Sequence, residues 1–288
     1  MLSEIDFGAG AAPWYQQPST DPDAPIIHFS AANGFPVASY KQFFNAFDNQ
    51  LSFTGMDCRG AWPSRKPPQG NFSPLDFAQD LISAIETQHT QPIIGMGHSH
   101  GGLVTLIAAH LRPELFSKLV IIEAPSAPDN LFGRVFPYVP KWLLLKTVPF
   151  IRGSHNRRRI FNSRQEFYNR YHGHPTFKRF TDPALRDYAE HGLREREDGL
   201  FELRFLPEWE SHIFCTVPIM APYLRKVTQP TLAIRAEHSY LYTAKQFAHY
   251  GKMSGKNVST ITMPDAHHLV PHEDPEGIAK LIQNWLNG

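Results

Sequence analysis

The chain has 288 residues, two cysteines and a formal net charge of +1, enough length for one large α/β domain or a domain carrying an insertion, and too little cysteine for a disulfide framework. The near-zero charge argues against a general nucleic-acid binder. The acidic start, Met1 to Phe7, has no basic residues followed by an apolar run, and no apolar stretch approaches the roughly 18 residues needed to cross a bilayer, so the chain reads as soluble and cytoplasmic.

Residues 1–24 hold one possible edge strand and a loop rich in Pro, Gln and Asp. Ile26 to Phe29 is a short apolar run, followed by the turn formers Asn33-Gly34-Phe35-Pro36. Tyr40, Phe43, Phe44 and Phe47 recur at helical spacing and are expected to pack on a sheet. A strand is expected over 51–57, then an irregular loop over 57–68 that opens Asp57-Cys58-Arg59-Gly60 and includes Trp62. Ser73 and Pro74 form an N-cap and N1 pair, with Leu75, Leu81, Ile82 and Ile85 as the inward stripe of the helix.

The stretch Pro92-Ile93-Ile94-Gly95-Met96-Gly97-His98-Ser99-His100-Gly101-Gly102 reads as a buried strand running into an apolar helix over 103–111. A turn that sharp needs small residues two positions either side of its centre, where Gly97 and Gly101 stand, and it thrusts Ser99 outward. The plainer reading is a glycine-rich turn with an exposed serine. A further strand over 118–122 ends on Glu123. Strand and helix alternating in this order imply a parallel sheet with helices on both faces, and Phe35, Ser99 and Glu123 all fall just past strand ends, where ligands bind in such sheets.

From 126 to 227 the alternation stops. This segment holds 17 Lys and Arg against 11 Asp and Glu, with helical pieces over 163–171 and 183–191 and a basic run at Arg157-Arg158-Arg159. That run suits either a solvated helix start or recognition of an acidic group. The sheet resumes over 230–235, followed by a helix over 243–250, a strand over 257–262 and a closing amphipathic helix marked by Ile278, Leu281, Ile282 and Trp285. The chain therefore divides into a first core part (1–125), an inserted, mainly helical cap (126–227) and a second core part (228–288). Between the last strand and helix lie His267 and His268. A serine hydroxyl needs a base to become nucleophilic, and His268 in this loop can return across the strand ends to Ser99, with His267 as its immediate rival.

Taken together, Asn33-Gly34-Phe35-Pro36, Asp57-Cys58-Arg59-Gly60, Gly97 to Gly102, and His268 with Glu273-Asp274-Pro275-Glu276 behind it resemble the oxyanion loop, Asp-x-Arg-Gly loop, nucleophile elbow and histidine loop of the α/β-hydrolase superfamily. The resemblance implies Ser99 as nucleophile, His268 as base, and an oxyanion hole from the backbone N–H groups of Phe35 and His100. Family members commonly carry the acid after the first strand that follows the cap, but Ser239 and Tyr240 stand at the matching positions. The superfamily's other acid location, after the strand following the nucleophile helix, is filled by Glu123, 24 residues beyond Ser99. Glu123 is therefore the expected acid, and Glu237 the fallback.

No cofactor is expected. His98 and His100 bracket Ser99, but no cysteine or carboxylate set accompanies them, so no metal is expected either. The resemblance implies an esterase or lipase-like serine hydrolase acting on a small to medium hydrophobic ester. The alternatives are carbon–carbon bond hydrolysis of a diketone-type substrate and a ligand-binding protein on a hydrolase scaffold without turnover. Epoxide or haloalkane hydrolysis is disfavoured, because those branches need an aspartate where Ser99 stands.

Overall fold

The structure, a computed structural model, describes residues 1–288 apart from residues 49, 65 and 71, so residue 65 of the expected 57–68 loop lies outside the described residues. Eleven strands are found among the described residues: β1 (Leu2–Asp6), β2 (Ala11–Gln17), β3 (Ile26–Ser30), β4 (Ser52–Met56), β5 (Ile93–His98), β6 (Phe116–Ile122), β7 (Ile160–Phe161), β8 (Leu193–Glu195), β9 (Phe201–Leu203), β10 (Thr231–Ala236) and β11 (Val258–Met263). Eight of them form one sheet in the order β1-β2-β4-β3-β5-β6-β10-β11. Every pairing from β4 to β11 in that order is parallel, and β2 is antiparallel to both its neighbours. The carboxyl ends of β3, β4, β5, β6, β10 and β11 therefore share one edge.

Strand residues alternate between two cores because successive side chains leave a strand on opposite faces. Val120 and Ile122 of β6 join Phe29, Tyr40, Phe43 and Ile282 on one side, whereas Leu119 and Ile121 join Phe77, Leu106, Ile107 and Phe247 on the other. Helices Pro74–Gln88, His100–Leu111 and Ala244–Met253 cover the second face, and Lys41–Asn45 with Pro275–Leu286 cover the first. The Ser73 hydroxyl and the Asp76 carboxylate close a capping box at the start of Pro74–Gln88.

Three expectations need correction. Residues 1–24 make two strands, because β2 finds a partner on each side and buries Trp14 and Tyr15. Leu75 is exposed, since the first turn of its helix directs Pro74 and Phe77 inward instead. The segment between β6 and β10 contains, besides helices, the antiparallel sheet β7-β9-β8, whose strands of two or three residues are too short to leave a period-two pattern.

Candidate active site

β5 ends at His98, and Ser99 takes φ 52° and ψ −123° before the helix His100–Leu111 begins. This left-handed backbone is strained for a serine and is held by close packing. A Cβ on Gly97 would lie 2.4 Å from the Gly101 carbonyl oxygen, and one on Gly101 would lie 2.0 Å from that of Ser30, so both positions require glycine. The Ser99 N–H donates to the Ile122 carbonyl at 2.8 Å, which fixes the turn to the end of β6.

The parallel register pairs His98 with Ile122 and Ile122 with Ile234. Glu123 is therefore level with the elbow, and its own φ of 48° turns it out of the strand direction. β11 pairs with β10 through Met263 and Ala236, which brings the loop carrying His268 to the same edge. As a result His268 Nε2 lies 3.1 Å from Ser99 Oγ, and Nδ1 lies 3.0 Å from Glu123 Oε2. A carboxylate only accepts, so the imidazole proton sits on Nδ1 and Nε2 faces the serine hydroxyl as an acceptor. Glu123 is fully buried and is held by two further donors: the Ala236 N–H reaches Oε1 at 2.8 Å and the Ser239 hydroxyl reaches Oε2 at 2.7 Å. Glu237 is exposed, and its carboxylate accepts from the Asp265 N–H at 2.9 Å.

Ser239 is a site residue that sequence reasoning missed. Its position lacks the carboxylate that the resemblance leads one to look for there, and the capacity of its hydroxyl to donate to a carboxylate elsewhere is the signal the sequence carries. His98 is a second. Its Nε2 lies 2.8 Å from the His268 carbonyl and its Nδ1 lies 2.8 Å from the Tyr40 hydroxyl, which in turn accepts from the Ala32 N–H at 3.1 Å. A carbonyl cannot donate, so Nε2 carries the proton and the Tyr40 hydroxyl donates to Nδ1. Burial holds the His98 pKa well below the usual histidine range, consistent with this neutral ring. The bridge ties the loop after β3, the elbow and the loop carrying His268 together.

The two backbone donors implied by the resemblance differ in their surroundings. The His100 N–H opens its helix and has no intrahelical acceptor, and the helix dipole adds partial positive charge beside Ser99. The Phe35 N–H closes a turn on the Ala32 carbonyl at 3.1 Å around Gly34, whose φ is +86°. Asp57 steadies this region by accepting from the Val37 N–H at 2.7 Å, and burial pushes its pKa up to about 6. Arg59 forms a bidentate pair with Asp80, both contacts at 2.6 Å, and Trp62 donates to the Asp57 carbonyl at 2.7 Å. The cavity these residues line, about 40 Å³ and bordered also by Cys58 and the His100 ring, lies behind the elbow and does not reach Ser99.

Above the strand ends, the Tyr188 ring packs tilted against Phe35 with centroids 4.6 Å apart, and its hydroxyl lies 3.3 Å from the Gly34 carbonyl. Asn33 Nδ2 donates to the Glu210 carbonyl at 2.9 Å. The basic run divides: Arg157 is mostly buried, pairs with Glu210 at 2.7 Å and donates to the Tyr188 hydroxyl at 3.1 Å, whereas Arg159 pairs with Glu208 near the surface. Ser99, His268 and Phe35 are all buried beneath this layer. His267 points away from Ser99 toward Glu273 and His238. Among the described residues, Glu237, His238 and Asp265 place potential metal-ligand atoms within 4.8 Å of one another, all exposed.

The sequence model described as the alpha/beta hydrolase family matches residues 11–281. A protein of Mesorhizobium japonicum named 2-(acetamidomethylene)succinate hydrolase is 25% identical over 256 residues, covering 87% of this chain and 84% of its own length. The uncharacterized hydrolase YugF of Bacillus subtilis is 25% identical over 262 residues, 86% of this chain and 85% of its own. A crystal structure of E-2-(acetamidomethylene)succinate hydrolase superposes with a TM-score of 0.82 at 21% identity, covering 100% of this chain and 99% of that one, which establishes the shared fold.

Proposed function

The chain belongs to the alpha/beta hydrolase family and is a hydrolase, and from that premise we propose that it cleaves a small to medium, uncharged hydrophobic carboxylic ester through an acyl-enzyme on Ser99. The observation that carries this reading is the continuous hydrogen-bonded line Ser99 Oγ, His268, Glu123, with contacts of 3.1 and 3.0 Å. Ser99 Oγ attacks the carbonyl carbon and its proton passes to His268 Nε2. The tetrahedral oxyanion faces the N-terminus of helix His100–Leu111, with the His100 N–H as one donor and the Phe35 N–H, once released from Ala32, as the second. His268 returns the proton to the leaving alcohol, and the ester C–O bond breaks. Water then gives a proton to the same nitrogen and attacks the acyl group, and collapse releases the acid and restores the serine hydroxyl. Glu123 holds the imidazole in the required tautomer and stabilises its charged form.

Residues 126–227 serve, on this reading, as a cap between the core parts 1–125 and 228–288. The rings of Phe35, Phe177, Phe180 and Tyr188 form an apolar cluster at the loop that carries Phe35. The buried cation there, Arg157, is already neutralised by Glu210, so an anionic substrate group would have to displace a carboxylate. This favours an uncharged acyl group.

A second reading, hydrolysis of an acylated nitrogen, draws on the Mesorhizobium relative, whose name describes an acetamido substrate. Assay of p-nitrophenyl esters of increasing chain length beside matched N-acyl compounds separates the two. Ester turnover abolished in Ser99→Ala, together with fluorophosphonate labelling of Ser99, is the expected result. Turnover of the amides alone would select the second reading, and no Ser99-dependent turnover or labelling would remove both.

A further inference from the structure

Six of the twelve exposed large hydrophobic side chains among the described residues fall within residues 131–150: Leu131, Phe132, Val135, Tyr138, Trp142 and Phe150. Their exposure runs from 49% for Val135 to 83% for Tyr138, too high for the rim of a packed core. The segment does have an interior. Leu144, Ile151 and Cys215 form a small cluster of their own, with Phe136, Val139 and Val148 packed against it. The outward residues are separate from that interior: Leu131, Phe132 and Val135 lie on helix Leu131–Val135, Tyr138 ends the short turn Phe136–Tyr138, Trp142 lies on helix Lys141–Thr147 and Phe150 on helix Pro149–His155. Six exposed large apolar side chains gathered within residues 131–150 mark an interaction surface.

Charge identifies the partner. Residues 131–152 contain Arg134, Lys141, Lys146 and Arg152 and no Asp or Glu. Arg134, Lys146 and Arg152 are exposed, and none of them forms an ion pair among the described residues, in contrast to Arg158, Arg159 and Arg164, which pair with Glu166, Glu208 and Glu190. Trp142 and Lys146 are four residues apart on one helix and emerge on the same side, an aromatic ring beside a cation.

We propose that this face docks on the surface of an anionic lipid bilayer, with Trp142, Phe150, Phe132 and Tyr138 entering the headgroup region and Arg134, Lys146 and Arg152 meeting lipid phosphates. Aromatic rings with a polar or basic flank suit that interface, and each cation near an anionic membrane adds attraction. A second copy of the chain is a poorer occupant. A two-fold contact would set the patch against itself, bringing unpaired cations together with no acid in the segment to neutralise them. The contact is peripheral, since no helix of the described residues is long and apolar enough to cross a membrane.

The test is sedimentation of the full chain with vesicles of phosphatidylcholine alone or with about 30 mol % phosphatidylglycerol. Binding to the anionic vesicles at least about tenfold tighter than to the neutral ones is expected, weakened about tenfold or more both by Trp142→Ser with Phe150→Ser and by Lys146→Glu with Arg152→Glu. Circular dichroism of both variants checks that these surface changes leave the fold intact. Absence of vesicle binding, or equal binding by wild type and both variants, overturns the proposal. So does a dimer in light scattering that Trp142→Ser dissolves without any vesicle binding, which would assign the face to a second copy.

Discussion

Ser239 directs its hydroxyl onto Glu123 Oε2 at 2.7 Å, the same oxygen that faces His268 Nδ1 at 3.0 Å. Ser239 thus braces a carboxylate supplied by another strand, the one proposed as the triad acid. Glu237, two residues earlier, lies outside this contact and is tied to the Asp265 backbone.

The proposal of Glu123 as the acid rests on those contacts. Glu123→Gln is expected to lower kcat by about 10³–10⁴-fold, because an amide that donates to Nδ1 imposes the wrong tautomer on His268. Glu237→Gln should leave kcat within about twofold, since it touches no reacting group. Steady-state kinetics on a responsive ester decides the matter, and loss of turnover in Glu237→Gln alone would reverse the assignment.

Removing the brace should be milder. Ser239→Ala deletes one of three donors to Glu123 and leaves the Ala236 N–H and His268 in place. A hydrogen bond to a charged group is worth roughly 1.5–3 kcal/mol, so kcat is expected to fall about tenfold or somewhat more while KM changes little. A KM effect without a kcat effect would place Ser239 in substrate binding instead.

Tyr40→Phe removes the donor to His98 Nδ1 and the acceptor for the Ala32 N–H, leaving two buried polar groups without partners. Each unsatisfied group costs about 1–3 kcal/mol, so a urea titration should show a clear loss of stability. Because His98 also holds the His268 carbonyl, kcat is expected to fall as well. An unchanged urea midpoint would mean the bridge is dispensable.

Burial lowers the pKa values of His28, His100 and His272 to about 3 and that of His98 well below its ordinary value. Below about pH 6.5 the unfolded chain binds protons at these four positions that the folded chain refuses, so stability falls as pH drops from about 6.5 toward 3 and is insensitive to these groups above that range. Each contributes up to about 1.4 kcal/mol per pH unit. His100→Phe keeps the backbone N–H and the ring contact with Phe77 and should reduce the slope of stability against pH by about one proton. Urea midpoints at about pH 4.5, 5.5 and 7.5 measure it; identical slopes in wild type and variant would contradict the neutral burial of His100.

Much of the architecture is written in short-range sequence. Gly97 and Gly101 mark a strand-to-helix turn around position 99 because their spacing is a local steric requirement, and the structure shows that turn with Ser99 at φ 52°. β3, β5 and β6 carry short apolar runs, and Ser73 with Pro74 announces a helix because capping depends on a few consecutive residues. Other features left no such trace. β7, β8 and β9 are too short for periodicity, and β2 depends on partners on both sides.

By itself, then, the sequence determined the parallel sheet with helices on both faces, the sharp turn at Ser99 and the set of polar residues placed at strand ends. Tertiary structure alone decided which of those residues touch. The register of β5, β6, β10 and β11 sets the distances among Ser99, Glu123 and His268, turns Glu237 to the surface, and recruits Ser239 and Tyr40 from loops and helices remote in sequence. The tertiary structure also pairs Arg157 with Glu210 while leaving Arg134, Lys146 and Arg152 without acidic partners among the described residues. The physical reason is range: steric limits and capping act over a few residues, whereas hydrogen bonds and ion pairs between distant segments exist only once the sheet has fixed where each segment lies.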